Sequence, residues 1–194
     1  MEKARICVLV SGGGTNLQAL LDAQQSGILR SGEIVLVVSN NPKAYALERA
    51  ARAGVETAVL KGPGFESELQ ALLCDRKIDL IILAGFMRIL SEGFTAQWPK
   101  RILNVHPALI PAFCGKGYYG LRVHEEALRR GVKITGATVH YVNEIPDGGE
   151  IILQKAVEVL PGDTPETLQR RVMEQAEWIL LPQAAEMVSK GVKA

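Results

Sequence analysis

Cysteine and histidine are both scarce in this chain, with three of each among 194 residues. Cys7, Cys74 and Cys114 are odd in number, far apart and never in a Cys-x-x-Cys pair, which argues against a disulfide framework or a structural zinc site. Cys7 and Cys74 fall inside apolar patterns and are expected in the core, while Cys114 falls in a loop. His106, His124 and His140 lack metal-ligand spacing, so no metal is expected. Charge of one sign is missing too. Lys and Arg number 22 against 21 Asp and Glu, a net charge of +1, which supplies no basic field for nucleic acid or an anionic membrane. No apolar run approaches the roughly 18–20 residues of a membrane span. The apolar stretch between Lys3 and Ser11 is too short for a secretory leader. The expectation is a cytoplasmic enzyme or binding protein.

With 47% hydrophobic and 22% charged residues, the chain has the composition of a globular protein large enough to bury a core. One domain over 1–194 is expected. Short continuous apolar runs at 6–10, 34–38, 55–60, 78–84 and 102–105 read as strands. Helical patterns alternate with them at 16–25, 44–53, 65–76 and 87–97. That order predicts an α/β protein with a Rossmann-like, doubly wound, mostly parallel sheet. After residue 110 the pattern changes: a loop to residue 121, a helix at 122–130, then strands at 137–142 and 151–159 with no helix between them. An antiparallel C-terminal extension is therefore expected. A long helix over 165–190 closes the chain, opened by Thr164-Pro165-Glu166 and bent near Pro182.

Asn104-Val105-His106-Pro107 ends the fifth strand run. Residues two apart on a strand face the same side, so Asn104 and His106 place an amide donor beside a titratable imidazole. That pair suits a carbonyl that becomes an oxyanion while a proton moves; it equally suits a polar strand end with a solvated histidine. Ser11-Gly12-Gly13-Gly14-Thr15-Asn16 joins the first strand to the first helix. It is neither Gly-x-Gly-x-x-Gly nor a Walker loop, so a monophosphate fits it better than a nucleotide. A tight turn with Thr15 or Asn16 capping the helix accounts for it as well. Asp147-Gly148-Gly149 is on its own an ordinary turn. It acquires chemistry only if the fold carries Asp147 to His106, where a carboxylate would raise the imidazole pKa and set its tautomer. Gly85-Phe86-Met87-Arg88-Ile89-Leu90 could wall a flat heterocycle with a carboxylate clamp, or simply start a helix. His124 reads as solvated, His140 as packing or as support for its neighbours, and Glu177 as a solvated helix residue beside Trp178.

Taken together these segments make the chain similar to the folate-dependent formyltransferases, most closely the branch that acts on phosphoribosylglycinamide (GAR) in purine synthesis. The likeness runs nearly end to end, through Ser11 to Leu17, Ala84 to Leu90, Asn104 to Pro111, Gly136 to Val142 and Asp147-Gly148-Gly149. It implies transfer of a formyl group from 10-formyltetrahydrofolate, a co-substrate, with no metal. Asn104, His106 and Asp147 match the catalytic residues of that family. Gly13, Gly14, Thr15, Asn16 and Leu17 match its phosphate loop, and Glu177 an acidic contact to the acceptor. Met87, Arg88, Ile89, Leu90, Ile102, Asn104 and Val142 match folate contacts. Its partners are small molecules, with monomer or homodimer both compatible. The tRNA-directed branch carries a C-terminal addition and the deformylases an N-terminal one, neither of which fits this length. The same trio also serves hydrolysis of the formyl folate or another amine acceptor, and a non-catalytic folate- or phosphate-binding module is the remaining alternative. Two departures stand out: Glu68 occupies a position where relatives carry a ligand-contacting arginine, and the loop at 112–119 is longer than the family's compact form.

Overall fold

Ile6, Val8 and Val10 lie in one buried apolar cluster while Cys7 and Leu9 lie in another. A strand buried on both faces belongs in the middle of a covered sheet. The computed structural model, which describes residues 2–192, places it there. Strand β1 (Ala4–Val10) is followed by α1 (Thr15–Ser26), β2 (Gly32–Ser39), α2 (Tyr45–Arg52), β3 (Glu56–Val59), α3 (Phe65–Asp75), β4 (Leu80–Leu83), α4 (Glu92–Thr95) and β5 (Ile102–His106). Then come α5 (Leu121–Arg130), β6 (Ile134–Tyr141), β7 (Ile151–Glu158), α6 (Pro165–Val172), a π-helical turn at Met173–Glu177 and α7 (Trp178–Val192). The seven strands form one sheet in the order β3-β2-β1-β4-β5-β6-β7. Pairings from β3 to β5 are parallel, and β6 pairs antiparallel with both β5 and β7. This is the doubly wound sheet with the antiparallel extension expected from the element order.

Period-two alternation continues in the neighbours. Leu80, Ile82, Leu103 and Val105 join the cluster on the α1, α5 and α7 side, and Ile81, Leu83 and Ile102 join the one on the α3 and α4 side. Phe65, Leu69 and Leu73, spaced four apart, give α3 its buried face. Cys74 falls about 100° further round and is exposed, so only Cys7 of the two expected core cysteines is buried.

Two helices differ from the periodic reading. The pattern at 87–97 yields helix only from Glu92, because Ser91 accepts a hydrogen bond from Phe94 N–H as N-cap. The preceding backbone is held extended by Met87 N–H donating to Ser11 Oγ and Ser91 N–H to Glu66. The final helix is interrupted at Met173–Glu177 rather than set off by Pro182, which lies inside α7. Buried positions there run Leu168, Val172, Ala176, Leu180, Ala184, Val188. That four-residue spacing drifts by 40° per step on an ideal α-helix. The wider π turn takes up part of the drift, keeping the apolar stripe against the sheet while turning Glu177 inward.

Leu69→Ala is expected to cost about 2–5 kcal/mol, the range for a fully buried leucine cut back to alanine. Cys74→Ala, on the outer face of the same helix, should stay within about 0.5 kcal/mol. Urea unfolding of the two variants checks the orientation of α3; similar losses in both would contradict it.

Candidate active site

The chain passes from one side of β1 to the other after β3. The connections leaving β1 and β4 therefore diverge and open a crevice at the carboxyl ends of the strands. A cavity of about 880 Å³ lies there. Its walls come from the glycine loop after β1, the segment after β4, the end of β5, the loop before α5, the Asp147 turn and the π turn.

Asn104 and His106 enter it from one face of β5, and the antiparallel register sets His140 opposite Asn104 and Thr138 opposite His106. Asp147 arrives from the turn before β7 in a left-handed conformation with φ 56°, a region aspartate tolerates better than most residues. Its Oδ2 is 3.5 Å from His106 Nδ1 and its Oδ1 is 3.5 Å from His140 Nε2. Gly115 N–H donates to Oδ2 at 2.9 Å. Gly149 must be glycine for this turn to form, since a Cβ there would sit 1.7 Å from the Tyr141 carbonyl oxygen. His106 Nε2 donates to the Phe113 carbonyl at 2.8 Å, and His140 Nδ1 donates to the Tyr141 carbonyl at 2.8 Å. With its proton on Nδ1, His140 offers the Nε2 lone pair to Asn104 Nδ2 at 3.3 Å. One N–H of the Asn104 amide is thus fixed by His140, and the other is left for the cavity.

Burial, the dominant influence, pushes the His106 pKa below its ordinary value; the fields of Asp147 and the Phe113 carbonyl oppose it without prevailing. The carboxylate raises it as expected, but the imidazole is almost wholly desolvated, and loss of water outweighs a partner at 3.5 Å, so the net shift is downward. Burial would raise Asp147, but the adjoining His140 and His106 side chains and the Gly115 N–H together hold its carboxyl below the usual range. At neutral pH the pair is a neutral imidazole beside a carboxylate.

The glycine loop is shaped by its packing. Gly14 is the N-cap of α1 with φ 73°, and a Cβ there would lie 2.6 Å from Ala46 Cβ. Ala46 N–H donates to the Gly12 carbonyl and Arg49 Nε to the Gly13 carbonyl. Neither Thr15 nor Asn16 caps the helix; instead Asn16 Nδ2 donates to Glu177 Oε2 at 2.8 Å across 161 residues. Glu177 is buried, against the reading of a solvated helix face, and desolvation pushes its pKa up to about 7 despite the Asn16 hydrogen bond.

Gly13, Gly14, Thr15, Asn16, Met87, Arg88, Ile89, Asn104, His106, Asp147 and Glu177 all line the cavity. Arg88 sits at its rim, with its guanidinium 4.8 Å over the Phe65 ring and Nη1 donating to the Gly62 carbonyl. Leu17 and Ile102 point instead into the two core clusters, and Leu90 and Val142 pack against the α3 side. Ile102 shares the Asn104 face of β5 but sits at the start of the strand, away from its carboxyl end, and is buried among the α3-side residues. Glu68 is exposed in the first turn of α3. Among the described residues no group of three or more His, Cys, Asp or Glu side chains is placed to hold a metal, and no helix is long and apolar enough to cross a membrane.

His124 is a correction. It is fully buried, neither ring nitrogen has a hydrogen-bond partner, and burial followed by the field of His106 pushes its pKa down to about 4. The polar neighbours Arg122 and Glu125 signalled an outer face, but His124 points inward from α5 and lines the cavity together with the loop at 115–120. The contribution of His140 was legible only as Thr138/His140 alternation, since its partner Asn104 is set by β5–β6 register.

A sequence model described as formyl transferase matches residues 4–184. The chain belongs to the formyl transferase family. It is 43% identical over 196 residues to the human trifunctional purine biosynthetic protein adenosine-3, covering 98% of this chain but only 19% of that protein. It is 39% identical to the phosphoribosylglycinamide formyltransferase of Haemophilus influenzae, covering 96% of this chain and 88% of that one. The crystal structure of glycinamide ribonucleotide transformylase 1 from Symbiobacterium toebii superimposes with a TM-score of 0.90 at 42% identity, covering 97% of this chain and 89% of that one.

A carboxyl whose folded pKa is raised binds a proton that the unfolded chain has already lost. The stability Glu177 contributes is complete below its ordinary 4.5 and is lost as pH rises through about 7. Relative to the parent chain, Glu177→Gln should therefore gain up to about 3 kcal/mol between pH 4.5 and pH 8. Urea unfolding across that range measures it; a difference independent of pH would mean that Glu177 titrates like a solvated carboxyl.

Proposed function

We propose that the chain transfers the formyl group of 10-formyltetrahydrofolate to the amine of phosphoribosylglycinamide. The observation that carries this reading is the meeting of Asn104, His106 and Asp147 in one cavity with the glycine loop and Glu177. The phosphate of the acceptor rests on backbone N–H groups at the start of α1, where the helix dipole favours an anion. Asn16 and Glu177 lie beside it toward the middle of the cavity. The folate enters along Met87, Arg88 and Ile89.

The acceptor amine attacks the formyl carbon, a C–N bond forms, and the carbonyl oxygen becomes an oxyanion. The Asn104 N–H not engaged by His140 holds that oxygen; a donor of this kind is worth about 3–4 kcal/mol in the transition state. The ammonium proton passes to neutral His106, whose imidazolium is stabilised by Asp147, and from there to the folate nitrogen as its bond to the formyl carbon breaks. The unlike shifts that hold His106 neutral and Asp147 ionised prepare the pair for this role. Aligning two bound substrates supplies much of the remaining acceleration. Tetrahydrofolate leaves with the proton, and the formylated glycinamide remains at the phosphate loop.

Spectroscopic measurement of tetrahydrofolate release, with and without phosphoribosylglycinamide, tests the reading. Release should require the acceptor; release without it would point to water as the acceptor, and none in either case would point to a binding module. Asp147→Asn should lower kcat by orders of magnitude while the KM for the formyl folate changes less than about threefold. Turnover at the parent rate would remove Asp147 from the chemistry.

A further inference from the structure

Six buried side-chain polar atoms lack a hydrogen-bond partner among the described residues: Asn16 Oδ1, both ring nitrogens of His124, Thr135 Oγ1, Trp178 Nε1 and Ser189 Oγ. Three of the six, those of Asn16 and His124, belong to residues lining the one cavity that holds Asn104, His106 and Asp147. Leaving such an atom unpaired costs about 1–3 kcal/mol, so a concentration of them at one place calls for a partner from outside the chain. Asn16 has already given its N–H to Glu177 and keeps a carbonyl oxygen to offer. Burial holds the His124 imidazole neutral, so it carries one N–H and one lone pair. One donor and one acceptor on His124, with another acceptor on Asn16, match hydroxyl groups, each of which both donates and accepts.

The cavity joins the glycine loop to the Asn104 and His106 end. A ligand with its phosphate on the loop and its reacting amine at His106 must put its sugar between them. His124 lines that same cavity, close enough to His106 to feel its field.

We propose that His124 is a specificity-determining residue of the acceptor site, its ring hydrogen-bonding a ribose hydroxyl of the phosphosugar alongside the free amide oxygen of Asn16. This rests on the acceptor reading above and names a further residue for it. A site built to hydrogen-bond a hydroxyl rejects the analogue that lacks it, because its own buried groups are then left unpaired.

The test reads binding and needs no formyl transfer. Protein labelled at its histidine rings, with the His124 signals identified by comparison with His124→Gln, is titrated with ribose 5-phosphate and with its 2-deoxy and 3-deoxy analogues. The His124 signals should move with ribose 5-phosphate. Affinity should fall about five- to thirtyfold for the analogue lacking the hydroxyl that His124 contacts. His124→Phe should bind ribose 5-phosphate at that weaker level and no longer discriminate, while His124→Gln, which keeps a donor and an acceptor, should retain most of the preference. Unchanged His124 signals at saturation would overturn the proposal, as would full discrimination in His124→Phe; a buried water alone would then be the partner of the ring. The parent chain's titration decides the matter even if His124→Phe fails to fold. Should the protein bind the sugar phosphate in this way yet release no tetrahydrofolate with the acceptor, the transfer reading would fail and this one would stand.

Discussion

Asp147 comes within 3.5 Å of two imidazoles because β5, β6 and the turn before β7 meet at one end of the sheet. A carboxylate taken largely out of water is costly unless it is compensated. Here the hydrogen bond that compensates it comes from the Gly115 N–H. The local structure around Asp147 is built to deliver and hold this group. The left-handed turn at Asp147 and the glycine at 149 deliver the carboxylate, and the loop before α5 supplies both Gly115 N–H and the Phe113 carbonyl that orients His106. Because Asp147 is held ionised and His106 neutral, the proton sits in neither place at rest. Acid–base chemistry near neutral pH needs that state of affairs.

The scaffold divides the work by rigidity. Asn104, His106 and His140 stand on paired strands, so their spacing is set by ladder geometry. The glycine loop is held by Ala46 and Arg49 of α2, and Ser11 links it to the segment after β4 through Met87 N–H. Glu177 reaches the same space from the far end of the chain through a π turn, and its hydrogen bond to Asn16 joins α1 to the C-terminal helices. The glycine-loop end of the cavity is therefore built from the first and last parts of the chain.

Much of this architecture was legible in the residues themselves. Runs such as Ile6 to Val10 are apolar at every position, which only a doubly covered strand tolerates, and helical patterns between them leave few topologies. Asn104 and His106 could be paired by strand period alone. Glu177 and His124 could not. Helix period assumes 3.6 residues per turn, and the π turn at Met173–Glu177 breaks that count just where a carboxylate is turned inward. His124 has charged neighbours and looks solvated, yet it is fully buried and lines the cavity. The direction of the His106 shift was likewise out of reach, since it depends on how completely water is excluded, and a nearby carboxylate says nothing about that.

By itself the sequence determined the local choices: where strands alternate with helices, where glycine permits a tight turn into a helix, and which polar residues end a buried strand. Those are set by short-range sterics and by apolar periodicity, and both are written in neighbouring residues. Only the tertiary structure decided which polar groups share one dehydrated space, and so which are neutral, which are charged and which still lack a partner. Desolvation and Coulomb interaction depend on distance through space, and residues 16 and 177, or 106 and 147, are neighbours only after the chain has folded.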